Sequence, residues 1–357
     1  MIVDVIKVIF PATLAFCIGI AMTPALTHYL YKYKAWKKKV RTTTIDGREA
    51  VIFGELHKDK EVGTPRMGGI IIWLSSFITI VGIWFVAKLF PNDVFSKLDF
   101  LSRSQTWIPL FTLMAGSLVG LIDDILEVSG KGGHIAGGLS LKKRLVIVAL
   151  IALFVGWWFY AKLGVSTITL ISGATISLGV FFIPFFMLVV LALYASGVID
   201  GLDGLAGGIF AIIFLAYTGI AIHQGQIDLA AFSATIAGAT LAFLWFNIPP
   251  ARFYMSETGT MGLTITLAAV AFMTDSLGDG HGVIALPIIA SVLLMTLLSI
   301  VIQVLSKKFR NGKKVFRIAP IHHHFEAIGW PPYKVTMRFW VLGIISALIG
   351  VIVAFLP

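Results

Sequence analysis

The chain has 357 residues, of which 58% are hydrophobic and 13% are charged, and its net charge is +10. This balance is too apolar for a water-soluble domain, so soluble enzymes and carriers are excluded and lipid is the expected solvent. A positive charge on such a chain is more typical of cytoplasmic membrane loops than of nucleic-acid binding, so no nucleic acid is expected as a partner. The single cysteine, Cys17, excludes an intrachain disulfide and a cysteine metal site.

Apolar stretches of about twenty residues recur along the chain, which is the helix length that crosses a hydrocarbon core of about 30 Å. They predict ten transmembrane helices in one integral membrane domain over residues 1–357. The predicted spans are 11–30, 68–90, 107–122, 145–163, 178–196, 205–223, 229–246, 261–274, 283–305 and 339–356. Residues 166–178 alternate polar and branched side chains around Gly173, which predicts a small β-hairpin. The expected fold is an all-α polytopic membrane protein.

The basic residues indicate which side of the membrane each loop faces. With the N-terminus outside, the inside loops are about 31–67, 123–144, 197–204, 247–260 and 306–338. Of the 28 basic residues, the outside then keeps only Lys7, Lys88, Lys97, Arg103 and Lys162. Because cytoplasmic loops are enriched in lysine and arginine, we expect both termini and the hairpin to be extracytoplasmic.

Acidic residues and histidines gather at the predicted inside surface. A charged residue at a helix centre costs about 2.5–3.5 kcal/mol on insertion scales, so such residues near spans need a use or a watery location. Any one of them alone could be a solvated helix end, but their concentration on one side favours a functional site. They are Asp123 and Asp124 in G-L-I-D-D, Asp200 and Asp203 in D-G-L-D-G, Glu257 in Y-M-S-E-T, and His322, His323 and His324 in P-I-H-H-H-F-E.

These residue types suit phosphate and magnesium chemistry. Crowded carboxylates repel one another, and oxygen-only ligands favour Mg²⁺, with substrate phosphates completing its octahedron. The glycines beside Asp200 and Asp203 allow close approach of the backbone to an anion. Adjacent histidines point in different directions, so a zinc site is disfavoured. We expect them to hold a diphosphate or to relay a proton near neutral pH.

Several segments together carry a resemblance to a known family. They are V-G-T-P-R-M-G-G at 62–69, G-L-I-D-D at 120–124, G-L-S-L-K-K at 138–143, D-G-L-D-G-L-A at 200–206, F-N-I-P-P-A-R at 246–252 and R-I-A-P-I-H-H-H-F-E-A-I-G-W-P at 317–331. Over nearly its full length the chain resembles the polyprenyl-phosphate N-acetylhexosamine-1-phosphate transferases. The triple histidine makes it most similar to those that act on muramoyl-pentapeptide in peptidoglycan synthesis.

The resemblance implies a reaction, a cofactor and partners. Undecaprenyl phosphate would attack the β-phosphate of UDP-N-acetylmuramoyl-pentapeptide, giving lipid I and UMP, with Mg²⁺ required. The enzyme would be a homodimer in the bacterial cytoplasmic membrane, with its active site on the cytoplasmic face, and its product would serve cell shape and division. By position, the resemblance and the histidine pattern assign catalysis to Asp123, Asp124, Asp200, His322, His323 and His324, substrate binding to Lys60, Asp203, Asn247, Tyr254 and Lys142, and the metal to Glu257 and Asp124.

The chain also departs from the family pattern. Glu257 replaces the aspartate that binds Mg²⁺, and Ser256 replaces the glycine before it. Residues 194–199 lack two asparagines and a threonine, and Glu127 stands where a lysine is usual. A further lysine position falls on Glu61, so Lys60 serves only if its loop is shifted by one residue. These changes indicate a divergent member with a rebuilt pocket, or a member with a different donor.

Three alternatives remain at this point. A sister transferase would move N-acetylglucosamine 1-phosphate onto undecaprenyl phosphate for teichoic acid or surface polysaccharide, but should lack the triple histidine. A secondary transporter would place its polar residues at the membrane midplane, in broken helices. A purely structural membrane protein would leave the one-sided acidic and histidine cluster unexplained.

Overall fold

The structure is a computed structural model that describes residues 2–37, 62–102, 104–130, 138–278 and 280–356. Helices form almost all of its regular structure. In chain order they are α1 (Ile2–Lys32), α2 (Ile70–Leu89), α3 (Asp93–Leu98), α4 (Trp107–Ser129), α5 (Leu141–Lys162), α6 (Phe182–Ser196), α7 (Leu205–His223), α8 (Ile227–Asn247), α9 (Ser256–Ser276), α10 (Gly282–Ile289), α11 (Ser291–Phe309), α12 (Ile321–Ala327) and α13 (Pro332–Ala354). Two strands, β1 (Thr167–Thr169) and β2 (Thr175–Ser177), lie between α5 and α6.

Nine helices among the described residues are long and apolar enough to cross a membrane. They are α1, α2, α4, α5, α6 with its flanking turns, α7, α8, α11 and α13. This confirms the all-α polytopic class. The count of ten spans and the side of the two termini stay predictions, because α9 carries several threonines and does not reach the same hydropathy.

Helix α9 lies at the centre of the molecule. It packs most extensively against α4, and also against α6, α7 and α10. Its apolar side chains are almost completely buried, and the Phe272 ring packs against Phe186 at a centroid distance of 4.8 Å. Its threonines donate hydrogen bonds to carbonyls one turn earlier or to a neighbour, as from Thr264 to the carbonyl of Thr260. A helix enclosed by other helices needs no lipid-facing stripe, which explains its mixed composition.

Two predicted spans differ from the observed helices. The predicted span 283–305 consists of α10 and α11, which break at Ala290. Pro287 lies inside α10 and has no backbone N–H to bond the carbonyl of Val283, which weakens the helix in the turn before the break. The predicted span 107–122 extends as α4 to Ser129, where Gly130 ends it in the left-handed conformation. The aspartates at 123 and 124 are therefore within a helix rather than after it.

The predicted hairpin is confirmed. Strands β1 and β2 pair antiparallel with Ile168 opposite Ile176. The Asp275 carboxylate accepts a hydrogen bond from the backbone N–H of Thr169, which ties β1 to the C-terminal end of α9. The hairpin therefore lies at the opposite end of α9 from Ser256.

Candidate active site

The first turn of α9 gathers two of the predicted carboxylates. The backbone N–H of Ser256 donates to Asp200 Oδ2 at 2.8 Å. The N–H groups of Glu257 and Thr258 donate to the two carboxylate oxygens of Asp124 at 3.3 and 2.9 Å. Unpaired N–H groups and the helix dipole both favour negative charge at a helix N-terminus. The sequence-predicted Asp124 and Asp200 thus meet at one turn, and Asp124 is 0% exposed.

Arg144 joins two further carboxylates at the same place. Its Nη1 contacts the Glu257 carboxylate and lies 3.4 Å from Asp123 Oδ2. Asp123 also accepts a hydrogen bond from the backbone N–H of Leu139, just before α5. Through this guanidinium, Asp123 on α4 and Glu257 on α9 face a shared positive charge.

Sequence reasoning chose Lys142 rather than Arg144 for this segment. Ser140 caps α5, so both residues lie in its first turn. At about 100° per helical residue they are about 200° apart, on opposite faces. Lys142 is exposed and makes no hydrogen bond or ion pair with the described residues. The Ser140 cap places the two residues on opposite faces, but only the contacts with α4 and α9 show that Arg144 faces the site.

A second arginine approaches from the loop before α2. Arg66 Nη1 lies 2.8 Å from Glu127 Oε2, and its Nε donates to Ser256 Oγ at 3.1 Å. Glu127 also pairs with Lys37 at 3.4 Å. The acidic residue at 127, unusual for the family, therefore balances two cations of this chain.

Ser256 holds an uncommon backbone conformation. Its φ is +59°, in the left-handed region that favours glycine. This explains physically why a glycine suits the position in the family pattern. Here the Asp200 carboxylate and the Arg66 side chain both bind Ser256, on its backbone N–H and its hydroxyl.

The loop that carries Asp200 and Asp203 lies against two of the three histidines. A methyl group built on Gly201 would be 2.6 Å from His322 Nε2 and 2.7 Å from His323 Nε2. Any larger residue at this position would force the loop or the rings to shift. His323 Nδ1–H donates to Glu326 Oε2 at 2.6 Å, and a neutral ring held in this way presents Nε2 as an acceptor. Glu326 was quoted within the motif but given no role from the sequence.

Asp203 and Asn247 hold two backbone segments together. Asn247 Oδ1 accepts the N–H of Gly204 at 2.9 Å, and its Nδ2 donates to the carbonyl of Phe253 at 2.8 Å. Asp203 Oδ2 accepts the N–H of Ala251 at 3.2 Å. Asn247 is buried, so these contacts fix the loop after α8 against the start of α7.

Other predicted residues are placed differently. His324 Nδ1 accepts the backbone N–H of Arg317 at 3.2 Å, so its ring faces the preceding loop while its two neighbours face Gly201. The backbone of Tyr254 binds the loop before α2, with its N–H donating to the carbonyl of Pro65 at 2.8 Å. Lys60 lies outside the described residues.

The electrostatics of the site follow from burial and charge. Burial raises the pKa of the Asp200 carboxyl above its usual value, while the Ser256 N–H and the Arg66 guanidinium oppose that rise. Burial also disfavours the charged form of Arg66, but Glu127 and then Asp124, Asp200 and Glu257 outweigh it and hold its pKa above the usual value. Arg66 is therefore positively charged at any working pH.

The site suits a magnesium ion that shares ligands with a substrate. Among the described residues, no three acidic, histidine or cysteine side chains lie close enough to form a metal cage by themselves. Asp123 and Glu257 nevertheless face one cation, the Arg144 guanidinium, and offer only oxygen donors. Mg²⁺ typically takes one or two carboxylates and fills its other positions with phosphate and water. Asp124 is less well placed, because both its oxygens accept backbone hydrogen bonds.

Comparison with known proteins gives a consistent result. Residues 106–275 match the family described as glycosyl transferase family 4. The phospho-N-acetylmuramoyl-pentapeptide-transferase of Anoxybacillus flavithermus is 34% identical over 348 residues, which cover 96% of this chain and 97% of the relative.

Two further relatives carry the same description. The protein from Geobacillus thermodenitrificans is 36% identical over 304 residues, covering 84% of this chain and 86% of its own length. The protein from Pelagibacter ubique is 34% identical over 316 residues, covering 82% of this chain and 80% of its own length. The similarity extends to residues on both sides of the matched family segment.

Proposed function

The chain belongs to the phospho-N-acetylmuramoyl-pentapeptide transferases, and we propose that it transfers phospho-N-acetylmuramoyl-pentapeptide from its UDP-linked donor to undecaprenyl phosphate, giving lipid I and UMP. One observation carries the proposal. Carboxylates from three separate elements, Asp123 and Asp124 on α4, Asp200 before α7 and Glu257 on α9, converge on the first turn of α9 beside two arginines.

The proposed reaction exchanges one phosphoanhydride linkage for another. An oxygen of the lipid phosphate forms a bond to the β-phosphorus of the donor. The bond from that phosphorus to the oxygen shared with the α-phosphate breaks, and UMP leaves with the electron pair. Because such transfers move charge between anions, catalysis depends mainly on alignment and charge neutralisation.

The arginine and carboxylate pairs suit these two tasks. Arg144 lies between Asp123 and Glu257, where it can neutralise substrate phosphates. Mg²⁺, held by Asp123 and Glu257 together with donor phosphates, would supply further charge neutralisation. We assign Asp123 to positioning the lipid phosphate rather than to deprotonating it, because a phosphate monoester with a second pKa of about 6 is already largely ionised near neutral pH.

The remaining residues suit the nucleotide and the phosphates. His323, oriented by Glu326, can accept a hydrogen bond beside the Asp200 loop. Asp203 and Asn247 hold the backbone that would surround the nucleoside, and we assign Tyr254 to stacking on the uracil. The enzyme would work as a homodimer in a bacterial cytoplasmic membrane, with this site on the basic, cytoplasmic face.

Donor specificity tests the proposal directly. Purified protein is incubated with Mg²⁺, undecaprenyl phosphate and one UDP-sugar at a time, and UMP is measured. UMP should form with UDP-N-acetylmuramoyl-pentapeptide and stop on addition of EDTA. UMP formed only from UDP-N-acetylglucosamine would instead assign the sister activity, and no UMP from any donor would reject both.

A further inference from the structure

Arg66 is a partly buried cation of the site, and the proposed reaction gives it no role. It belongs to the loop that precedes α2, and its backbone N–H donates to the carbonyl of Ala35 at 2.7 Å. Its side chain, 20% exposed, passes between Glu127 and the first turn of α9. Of the two arginines beside the first turn of α9, Arg66 is the one whose charge acts on Asp200.

The guanidinium is held in one orientation by two fixed partners. Nη1 pairs with Glu127 and Nε donates to Ser256 Oγ. Glu127 is itself held by Lys37 and is almost buried, so the pair cannot swing freely into solvent. A guanidinium oriented in this way loses little side-chain entropy when it binds a further anion.

These two contacts use Nη1 and Nε of the guanidinium and leave Nη2. Among the described residues, Nη2 of Arg66 has no hydrogen-bond partner. Charge balance of Glu127 does not by itself explain Arg66, because Lys37 already pairs with that carboxylate. Planar guanidinium groups bind phosphate oxygens with charge-assisted hydrogen bonds, often two at a time.

We propose that Arg66 binds a substrate phosphate, with Glu127 and Ser256 orienting it for that contact. The inference rests on the proposed function, since it requires a phosphorylated substrate at the first turn of α9. The donor diphosphate and the lipid phosphate share the required chemistry, and the two arms of the experiment separate them.

The first arm measures binding of UDP and of uridine to the full-length protein in detergent with Mg²⁺. Uridine lacks phosphate and reports only the nucleoside contacts. Arg66→Gln should weaken the binding of UDP at least about tenfold, as expected when a charge-assisted contact is lost, and leave the affinity for uridine unchanged. Arg66→Lys keeps the charge without the planar fork and should recover part of the UDP affinity.

The second arm measures the apparent KM for a short-chain polyprenyl phosphate at saturating donor. If Arg66→Gln raises this apparent KM about tenfold and leaves UDP binding intact, the contact is with the lipid phosphate instead. Lys308→Gln is the matched control, because it removes one positive charge from an exposed residue at the end of α11 that lies over the ring of Phe309. It should change none of these values.

The outcomes separate a binding role from a structural one. If Arg66→Gln weakens the binding of UDP and of uridine equally, the residue only shapes the loop and the inference is wrong. If neither UDP binding nor the apparent KM for the lipid changes, it is also wrong. Wild-type protein that binds neither UDP nor uridine would overturn the proposed function, and the role of Arg66 with it.

Discussion

The Nη1 nitrogen of Arg144 contacts the carboxylate of Glu257, linking the start of α5 to the start of α9. The same nitrogen lies 3.4 Å from Asp123 on α4. Three helices therefore meet through one positive charge. Such a point is where an anionic substrate and a divalent cation would both have to be accommodated, since each changes the charge that the two carboxylates face.

Removing this charge should abolish most of the turnover. Arg144→Gln leaves Asp123 and Glu257 facing each other without compensation, and we expect kcat to fall by about 10²–10³, as for loss of one preorganised electrostatic contact. Arg144→Lys should retain part of the activity. The control is Lys143→Gln, which removes an exposed charge from the same helical turn and should leave kcat unchanged. Equal activity of the Arg144→Gln and Lys143→Gln enzymes would contradict the assignment.

Glu257 is the position at which to test the metal. Glu257→Asp keeps a carboxylate and introduces the residue that the resemblance implies at this position, so it should keep an Mg²⁺-dependent reaction, whereas Glu257→Ala should not turn over. The measurement is UMP release against Mg²⁺ concentration, with EDTA as the blank. Because one methylene shifts the carboxylate from Arg144, the aspartate variant should need a different Mg²⁺ concentration for half-maximal rate. Full activity in Glu257→Ala would mean that another residue binds the ion.

The neighbouring aspartates should separate into a functional and a structural residue. Asp124→Asn places an amide nitrogen against one of two backbone N–H donors at the start of α9, so a buried hydrogen bond is lost. We expect a destabilisation of about 1–3 kcal/mol, seen as a lower Tm in detergent. Asp123→Asn can still accept the Leu139 N–H through its carbonyl oxygen, so it should lose turnover with a much smaller change in Tm. Comparable Tm losses in both variants would remove the distinction.

Part of this site could be predicted from the sequence because charge near lipid is costly. This cost singles out Asp123, Asp200 and Glu257. In the structure Asp200 and Glu257 meet at the first turn of α9, and Asp123 is linked to it through Arg144. The helical class and the hairpin followed from hydropathy and from the alternating pattern at 166–178. Pro287 is the feature of the sequence that indicates an irregular helix in this span.

The missed features depend on contacts between distant segments. The cap of Asp124 on α9 joins residues 133 positions apart, and no local pattern specifies that pairing. Arg144 and Lys142 lie on opposite faces of α5, and the packing of α5 against α4 and α9 decides that Arg144 faces the site. Arg66 and Glu127 become partners only when the loop before α2 meets α4.

The close contact at Gly201 gives a steric prediction. Gly201→Ala would place a methyl group within 2.6 Å of His322 Nε2, so either the loop carrying Asp200 or the two histidine rings must move. Because a displacement of about 1 Å in a catalytic group can cost about 10²-fold, we expect a loss of that order in kcat. Gly219→Ala, inside α7 with no atom within 4 Å of the added methyl, is the matched control and should be fully active. Normal turnover in Gly201→Ala would show that this loop does not need its contact with the histidines.

We expect the Asp200 carboxyl to set the acidic limb of the pH profile of the reaction. Its carboxyl has a raised pKa because of burial, and the nearby Arg66 charge limits that rise. If the ionised carboxylate is the active form, activity is lost as the pH falls through this raised pKa, at a higher pH than for an ordinary aspartate. Arg66→Gln removes the limiting charge, so the acidic limb of kcat at saturating donor should move to still higher pH. A shift to lower pH, or none, would contradict the coupling.

The same raised pKa predicts that Asp200 stabilises the fold at low pH, where the activity is expected to be lost. A folded-state pKa above the unfolded value means that the folded protein binds the proton more tightly, so Asp200 favours folding below the unfolded pKa and loses that contribution as the pH rises through the folded value. Asp200→Asn cannot titrate. The Tm difference between wild type and Asp200→Asn should therefore shift in favour of the wild type as the pH is lowered between the two pKa values. A Tm difference that stays constant with pH would mean that Asp200 has the same pKa in the folded and unfolded states. Burial at the first turn of α9 would then not raise the pKa of this carboxyl.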